Sequence, residues 1–370
     1  MTPIAQHATD SCPSLIPFVE EKITSFEPPA ISVLVRAHDK WILASNLQKA
    51  IRRGLNDIAC ATANQLLQLD SRYFWRRLLV IAYEDIGYGN LDLCGELLLT
   101  FRREALHKKL GELRTAAYFI SHLCNSIKSR SLCDAVCLIE FNPNAPTAAA
   151  PLDAAGQDAI LSIASSDQIP FIYRMAAMRD ICGYRIFRNG RFIQGAKSHP
   201  NLMKKIAGLA ALSPLETYLF ERGQSVSESL NIPIPLVSGM IRRSVQTVKE
   251  IALDTPGEAG ILYCALDKHT RLGKRCIAEL IKASSKLAHF FSNRPTLNPI
   301  TATGHALFII EGGVLDKSLD FDGRESLEQE FQRAYLAFAG LGPEDAVQLM
   351  SLVTGELDHL NEIRHKHLVL

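Results

Sequence analysis

The chain has 370 residues, 47% of them apolar, which suits two full-sized cores or three. Lys plus Arg number 40 against 39 for Asp plus Glu, so a polyanionic partner would need a local basic face rather than a global excess. No apolar run reaches the roughly 18 residues of a membrane-spanning helix, so a membrane partner is not expected.

Met1 to Lys22 lacks the basic start and apolar core of a secretory signal. With several prolines and the Glu20-Glu21 pair, residues 1–30 read as a loose leader. The nine cysteines are scattered without a C-x-x-C pair. Cys133 and Cys137 share a helix face with no histidine pair nearby. They read as small buried residues in a reducing compartment, so the expected location is cytoplasmic, with no metal and no cofactor.

Ile31 to Arg36 leads into Trp41, Ile42 and Leu43. Ser45 and Gln48 have the spacing of a capping box, with Leu47, Ala50 and Ile51 facing inward and Gly54 ending the helix. Asn56 or Asp57 caps the next helix, through Ile58, Ala59, Leu66 and Leu67. Asp70 or Ser71 then caps a third, in which Trp75, Leu78, Leu79, Ala82 and Ile86 form one apolar stripe. Gly87 stops it, and Asn90 caps a helix through Leu93, Leu97, Leu98 and Phe101. A further helix through Ala116, Phe119, Ile120 and Leu123 breaks near Lys128-Ser129-Arg130, and another opens at Ser131 and ends near Glu140.

Three of these segments carry a resemblance. Ser45 to Gly54, Arg76-Arg77-Leu78 with Glu84-Asp85-Ile86-Gly87, and Lys128-Ser129-Arg130 on to Ala135 occur in the order and approximate spacing of three helical motifs. Those motifs belong to the helical region that follows the ATPase module in the RarA and Werner-helicase-interacting-protein family, relatives of the clamp loaders. The resemblance covers residues 45–140. It implies a clamp-loader-collar-like helical scaffold used in subunit assembly, possession of DNA or replication-protein contacts, and a partner ATPase or homo-oligomer. ATP hydrolysis does not carry over, because the sequence has no Gly-x-x-x-x-Gly-Lys-Ser/Thr. Gly190 to Ser198 comes nearest, with one residue too many. It falls in an Asn189-Gly190 turn flanked by Tyr184, Ile186, Phe192 and Ile193, which predicts a small β-hairpin.

Residues 142–156 are rich in Pro and Ala and read as a linker between a helical domain, 31–141, and a second one, 157–370. In the second, a helix runs through Ile172, Met175 and Ile181, and Ser213-Pro214-Leu215-Glu216 is a strong helix start. Further helices are expected through Val237 to Ile251 and from Gly273 to Phe291. Residues 293–324 are the least helical, with Ala306 to Ile310 as one strand or a buried turn. Two last helices contain Phe331, Tyr335 and Phe338, then Val347 to Val353, before a polar tail from His359. The fold class is mainly α, in helical bundles.

The candidate nucleic-acid contacts are Arg52, Arg53, Arg72, Arg76, Arg77, Lys128 and Arg130, since guanidinium forks suit phosphate oxygens. The plainer reading is solvated faces, or pairing of Arg77 with Glu84 or Asp85. Glu84 and Asp85 are adjacent and diverge by roughly 100° on a helix, so they do not converge as a catalytic pair. His269, Arg271, Lys274 and Arg275 form the densest polar cluster of the second half, an anion or partner site or else an ordinary loop. His359, His365 and His367 read as tail rather than metal ligands. No catalytic residue is recognisable. The expected function is a non-enzymatic accessory of DNA replication or recombination. The alternatives are a protein-interaction or regulatory module without DNA binding, and an enzyme using residues 267–275.

Overall fold

A computed structural model describes residues 15–101, 103–184, 186–188, 191–193, 198–224 and 226–369. Helices dominate, and the strands form three two-stranded antiparallel ladders among the described residues. The mainly α fold is therefore as expected. No helix among the described residues is long and apolar enough to cross a membrane.

The helix Lys40–Arg52 sits at the centre. Asp39 caps it by accepting a hydrogen bond from the Trp41 N–H at 2.8 Å. Every residue from Ile42 to Arg52 is buried, polar ones included. Apolar residues on all sides of a helix mean neighbours on all sides. The capping box expected at Ser45 and Gln48 is thus absent, and both side chains serve tertiary contacts instead.

The helix Asn56–Ile81 packs along this central helix and is two helices joined at Asp70, whose backbone is extended (φ −161°). The Asp70 carboxylate accepts from the Tyr73 N–H at 3.0 Å and so starts the second one, as its sequence position predicts. Trp75, Leu78, Leu79, Ala82 and Ile86 are all buried, each large side chain contributing about 1.5–3 kcal/mol. The last turn, Ala82–Ile86, widens to π-helical and ends at Gly87, with φ +43° and ψ −121°. Asn90 then caps the helix Leu91–Phe101 through the Leu93 N–H.

Several expectations are corrected. Within the expected leader, Ile16–Ser25 is a helix that buries Val19 and Ile23 and pairs Lys22 with Glu96 at 2.6 Å. The expected linker holds the helix Ala145–Ala149 and a 3-10 turn, Ala150–Ala154, with Ala145, Ala148 and Leu152 buried. Alanine is the best helix former and small enough to pack closely, so this composition marks a packed helix here. The helix Ser131–Phe141 packs on Arg324–Phe338 across that boundary, and one apolar cluster runs through both halves.

The expected helix through Val237 to Ile251 ends at Arg242, and Thr247–Glu250 is a strand paired with Lys317–Asp320. The β-branched Val245, Thr247 and Val248 favour that extended form. Lys128 extends the ladder: its N–H donates to Lys317 O at 2.9 Å and its carbonyl accepts from the Leu319 N–H at 2.8 Å. Ala306 to Leu307 end a helix, Pro299–Leu307, capped by Asn298, and Phe308–Gly312 is a second π-helical turn. The helix expected from Gly273 to Phe291 is split by a Ser284 cap into Arg271–Ala283 and Ser285–Ser292. The polar tail is the helix Leu357–Val369. Ile186–Arg188 and Arg191–Ile193 pair as the expected hairpin, whose Asn189-Gly190 turn lies outside the described residues, as do Gly190 and Gln194 to Lys197 of the near-miss motif.

Gly87 is the position where backbone freedom matters most, because its φ and ψ suit glycine alone and an added Cβ would lie 3.2 Å from Ser129 O. Gly87→Ala is expected to lower unfolding stability by about 1–3 kcal/mol in denaturant titration. Gly156→Ala, at φ −73° with open space around it, is expected to leave stability unchanged or slightly raised.

Candidate functional site: a charged cleft and an open trough

The three motif segments meet at Asp85. Its side chain is 0% exposed. One carboxylate oxygen accepts from Arg52 Nε and from Arg130 Nη1, both at 2.8 Å, and the other from Gln48 Nε2 at 2.7 Å. Glu84 accepts from Arg52 Nη2 at 2.8 Å and from Arg130 Nη1 at 3.3 Å, and lies 3.6 Å from Arg77. The two acids thus converge on shared arginines, which the expected divergence did not allow. The π-helical turn changes the angle between successive side chains and makes this convergence possible. The plainer pairing of Arg77 with Glu84 is present.

Burial alone would raise the Glu84 pKa, but Arg52, Arg77 and Arg130 outweigh it and hold the pKa at about 2. Asp134, one helical turn beyond Arg130, goes the other way. Burial lifts its pKa to about 7, with Arg130 opposing only in part. Arg52 Nη1 also donates to Gly312 O, and Arg53 Nη2 to Glu311 O at 2.6 Å. Arg364 grips the Glu311 carboxylate with both Nη atoms, at 2.6 and 3.2 Å. Lys128 Nζ donates to Cys124 O at 2.7 Å and pairs with Asp316 at 2.8 Å. Arg52, Arg53, Lys128 and Arg130 are therefore buried and committed to internal partners. As candidate phosphate contacts they are corrected to packing residues, because desolvated and paired guanidiniums are not presented to a ligand outside.

This network forms one wall of a cleft of about 340 Å³. Trp41 and Tyr73, edge to face at 5.7 Å, stand on one side, and Phe141 and Tyr335 on another. Lys49 pairs with Asp267, which also accepts from Ser45 Oγ at 3.0 Å. Burial opposes ionisation of Asp267, yet the Lys49 charge prevails and its pKa is lowered. His269 lies at the mouth, exposed on one side and crowded on the other. Desolvation in the cleft, against the pull of Asp267, lowers its pKa to about 4, so the ring is neutral at pH 7. Thr270 caps the helix Arg271–Ala283 by accepting from the Gly273 N–H at 2.9 Å. Only glycine fits there, since a Cβ would sit 2.0 Å from Asp267 O. Arg271, Lys274 and Arg275 are exposed on that helix, and Arg275 pairs with Glu279 at 3.1 Å. They do not line the cleft with His269.

Arg72 and Arg76 lie elsewhere, along an open trough of about 720 Å³. Its floor is Trp75, stacked on His107 at 4.1 Å, with Trp75 Nε1 donating to Glu112 at 2.8 Å. Lys108 lines it too. Arg72 is exposed, and Arg76 is 64% exposed, 3.5 Å from Glu228.

The histidines of the last helix are each engaged: His359 with Glu356, His365 with the Tyr263 hydroxyl and His367 with Glu279. No cluster suited to a metal ion occurs among the described residues. The described cysteines are free thiols, with Cys133 and Cys137 sulfurs 3.7 Å apart. Sequence reasoning missed Lys49, Trp41, Tyr73, Tyr335 and Arg364 as site residues, and took in Asp267 only as part of the 267–275 cluster. The available signal was the apolar spread of Ile42 to Ile51 over more than one helix face, which leaves Lys49 and Arg52 no solvent side.

No family model, no curated protein and no solved structure matches the chain.

The Glu84 pKa, about 2 when folded against 4.5 as its ordinary value, gives a pH dependence. A depressed folded pKa contributes stability above the ordinary value and loses it as pH falls through the folded one. Unfolding stability should therefore decline from about pH 4.5 towards pH 2, and Glu84→Gln should flatten that decline. Titrations in urea at several pH values measure both slopes, and equal slopes would remove the role given to Glu84.

Proposed function

We propose that the protein is a non-enzymatic accessory of DNA replication or recombination, which contacts nucleic acid through the trough of Arg72, Arg76 and Lys108. The observation that carries this reading is the trough itself. It is open and lined by Arg72, Arg76 and Lys108 beside an aromatic floor, with one carboxylate, Glu112, engaged by Trp75 Nε1; guanidiniums in such a trough can neutralise and orient phosphates. The scaffold part of the reading rests on the resemblance to the RarA-like helical region. Supporting it, the segments that carry the resemblance each supply a member of one ion-pair network: Arg52, Glu84 with Asp85, and Arg130. Replication or recombination proteins, a partner ATPase or a second copy of the chain are the partners proposed on the same ground, in the cytoplasm.

The placement of Asp267 and His269 in a cleft favours a second reading, chemistry or binding of a small molecule there.

Fluorescence anisotropy of labelled DNA across a salt series tests the first reading. Log affinity should fall linearly with log salt, and Arg72→Ala with Arg76→Ala should weaken binding and reduce the slope by about 2. Arg275→Ala serves as the control and should change neither. Absence of binding at low salt, or a slope that the double variant leaves untouched, would sink the proposal.

A further inference from the structure

We infer that the 340 Å³ cleft is a pocket for an unstacked nucleobase, a planar heteroaromatic ring with polar edges. This deepens the nucleic-acid reading above and rests on it for the source of the base, though not for the chemistry of the pocket.

Three features define the occupant. First, the walls are aromatic. Trp41, 52% exposed, stands at the mouth beside Tyr73. Every base offers a π-face to such a wall. Second, each cation lining the cleft is already engaged by a carboxylate. Lys49 is held by Asp267, and Arg52, Arg77 and Arg130 by Glu84, with Asp85 behind. A phosphate entering here would have to compete with those carboxylates for the guanidiniums, whereas a neutral ring leaves the pairs intact. Third, polar groups remain for the ring's edge. Tyr335 is only 5% exposed and lines the cleft, yet its hydroxyl has no hydrogen-bond partner among the described residues. The His269 ring likewise has none among them, and a neutral imidazole offers one donor and one acceptor. Both groups are therefore open to a ligand, and a base edge carries the donors and acceptors to pair with them.

The position also fits a strand. Tyr73 lines the cleft while Arg72 and Arg76, on the same helix, line the trough. The two sites thus lie on neighbouring faces of one helix, turned by about 100° from each other. Phosphates on the outer face would leave a base free to turn inward.

Calorimetric titration with each of the four common nucleosides, and separately with a short single-stranded oligonucleotide, tests this. The variants are Trp41→Ala, Tyr335→Phe and the Arg72→Ala/Arg76→Ala pair, and thermal denaturation confirms that each is folded. Tyr335→Phe keeps the ring and hence the packing. At least one nucleoside should bind saturably. Trp41→Ala should weaken it roughly ten-fold or more, and Tyr335→Phe by about five-fold. The arginine pair should leave nucleoside affinity unchanged and weaken only the strand. Nucleoside binding without strand binding would uphold the pocket and overturn the accessory function. Strand binding indifferent to Trp41 and Tyr335, with no nucleoside bound, would overturn the pocket and leave the trough standing.

Discussion

A fully buried carboxylate constrains everything around it. Asp85 has no contact with water, and an isolated charge in such a place would cost far more than a domain's net stability. Arg52, Arg130 and Gln48 offset that cost, so the helices bearing them are fixed relative to the π-helical turn. Arg52 then reaches on to Gly312, and its neighbour Arg53 to Glu311. Through these bonds the first third of the chain is tied to the last. The ion pairs need not add net stability, since such clusters often merely break even against apolar packing. Their effect is on geometry: they allow one arrangement of the segments and exclude others.

The legible part of the sequence was local. Asp70, Ser213 and Asn90 act through the backbone within three residues, so their caps could be read directly. The Trp75 to Ile86 stripe was legible for the same reason. What failed was whatever tertiary contact decides. Thr247 to Glu250 continues an apolar helical pattern, yet it pairs with Lys317–Asp320 nearly 70 residues away, a partner that periodicity does not reveal. Ala145 and Ala148 look like linker residues until a neighbouring helix covers them.

The site was legible in a similarly divided way. The arginines were correctly singled out as unusual, but their surroundings were not readable. Arg52 and Arg76 are equivalent by sequence, each within an Arg-Arg pair on an amphipathic helix. One is enclosed by the 267–312 region and the other faces an open trough. The turn that aims Glu84 and Asp85 together is a π-helical distortion with no sequence signature of its own. Interior arginines hold the scaffold, and the outer ones are what the scaffold presents.

The central claim, that the Asp85 network holds the fold together rather than receiving a ligand, is tested most directly by a double-mutant cycle in denaturant on Arg52→Ala and Asp85→Ala. Each single change should cost about 3–5 kcal/mol, because it strands a buried charge. The double variant should be less destabilised than their sum by at least about 1 kcal/mol. Additivity within about 0.5 kcal/mol would contradict the claim, for it would mean that the two charges do not depend on one another.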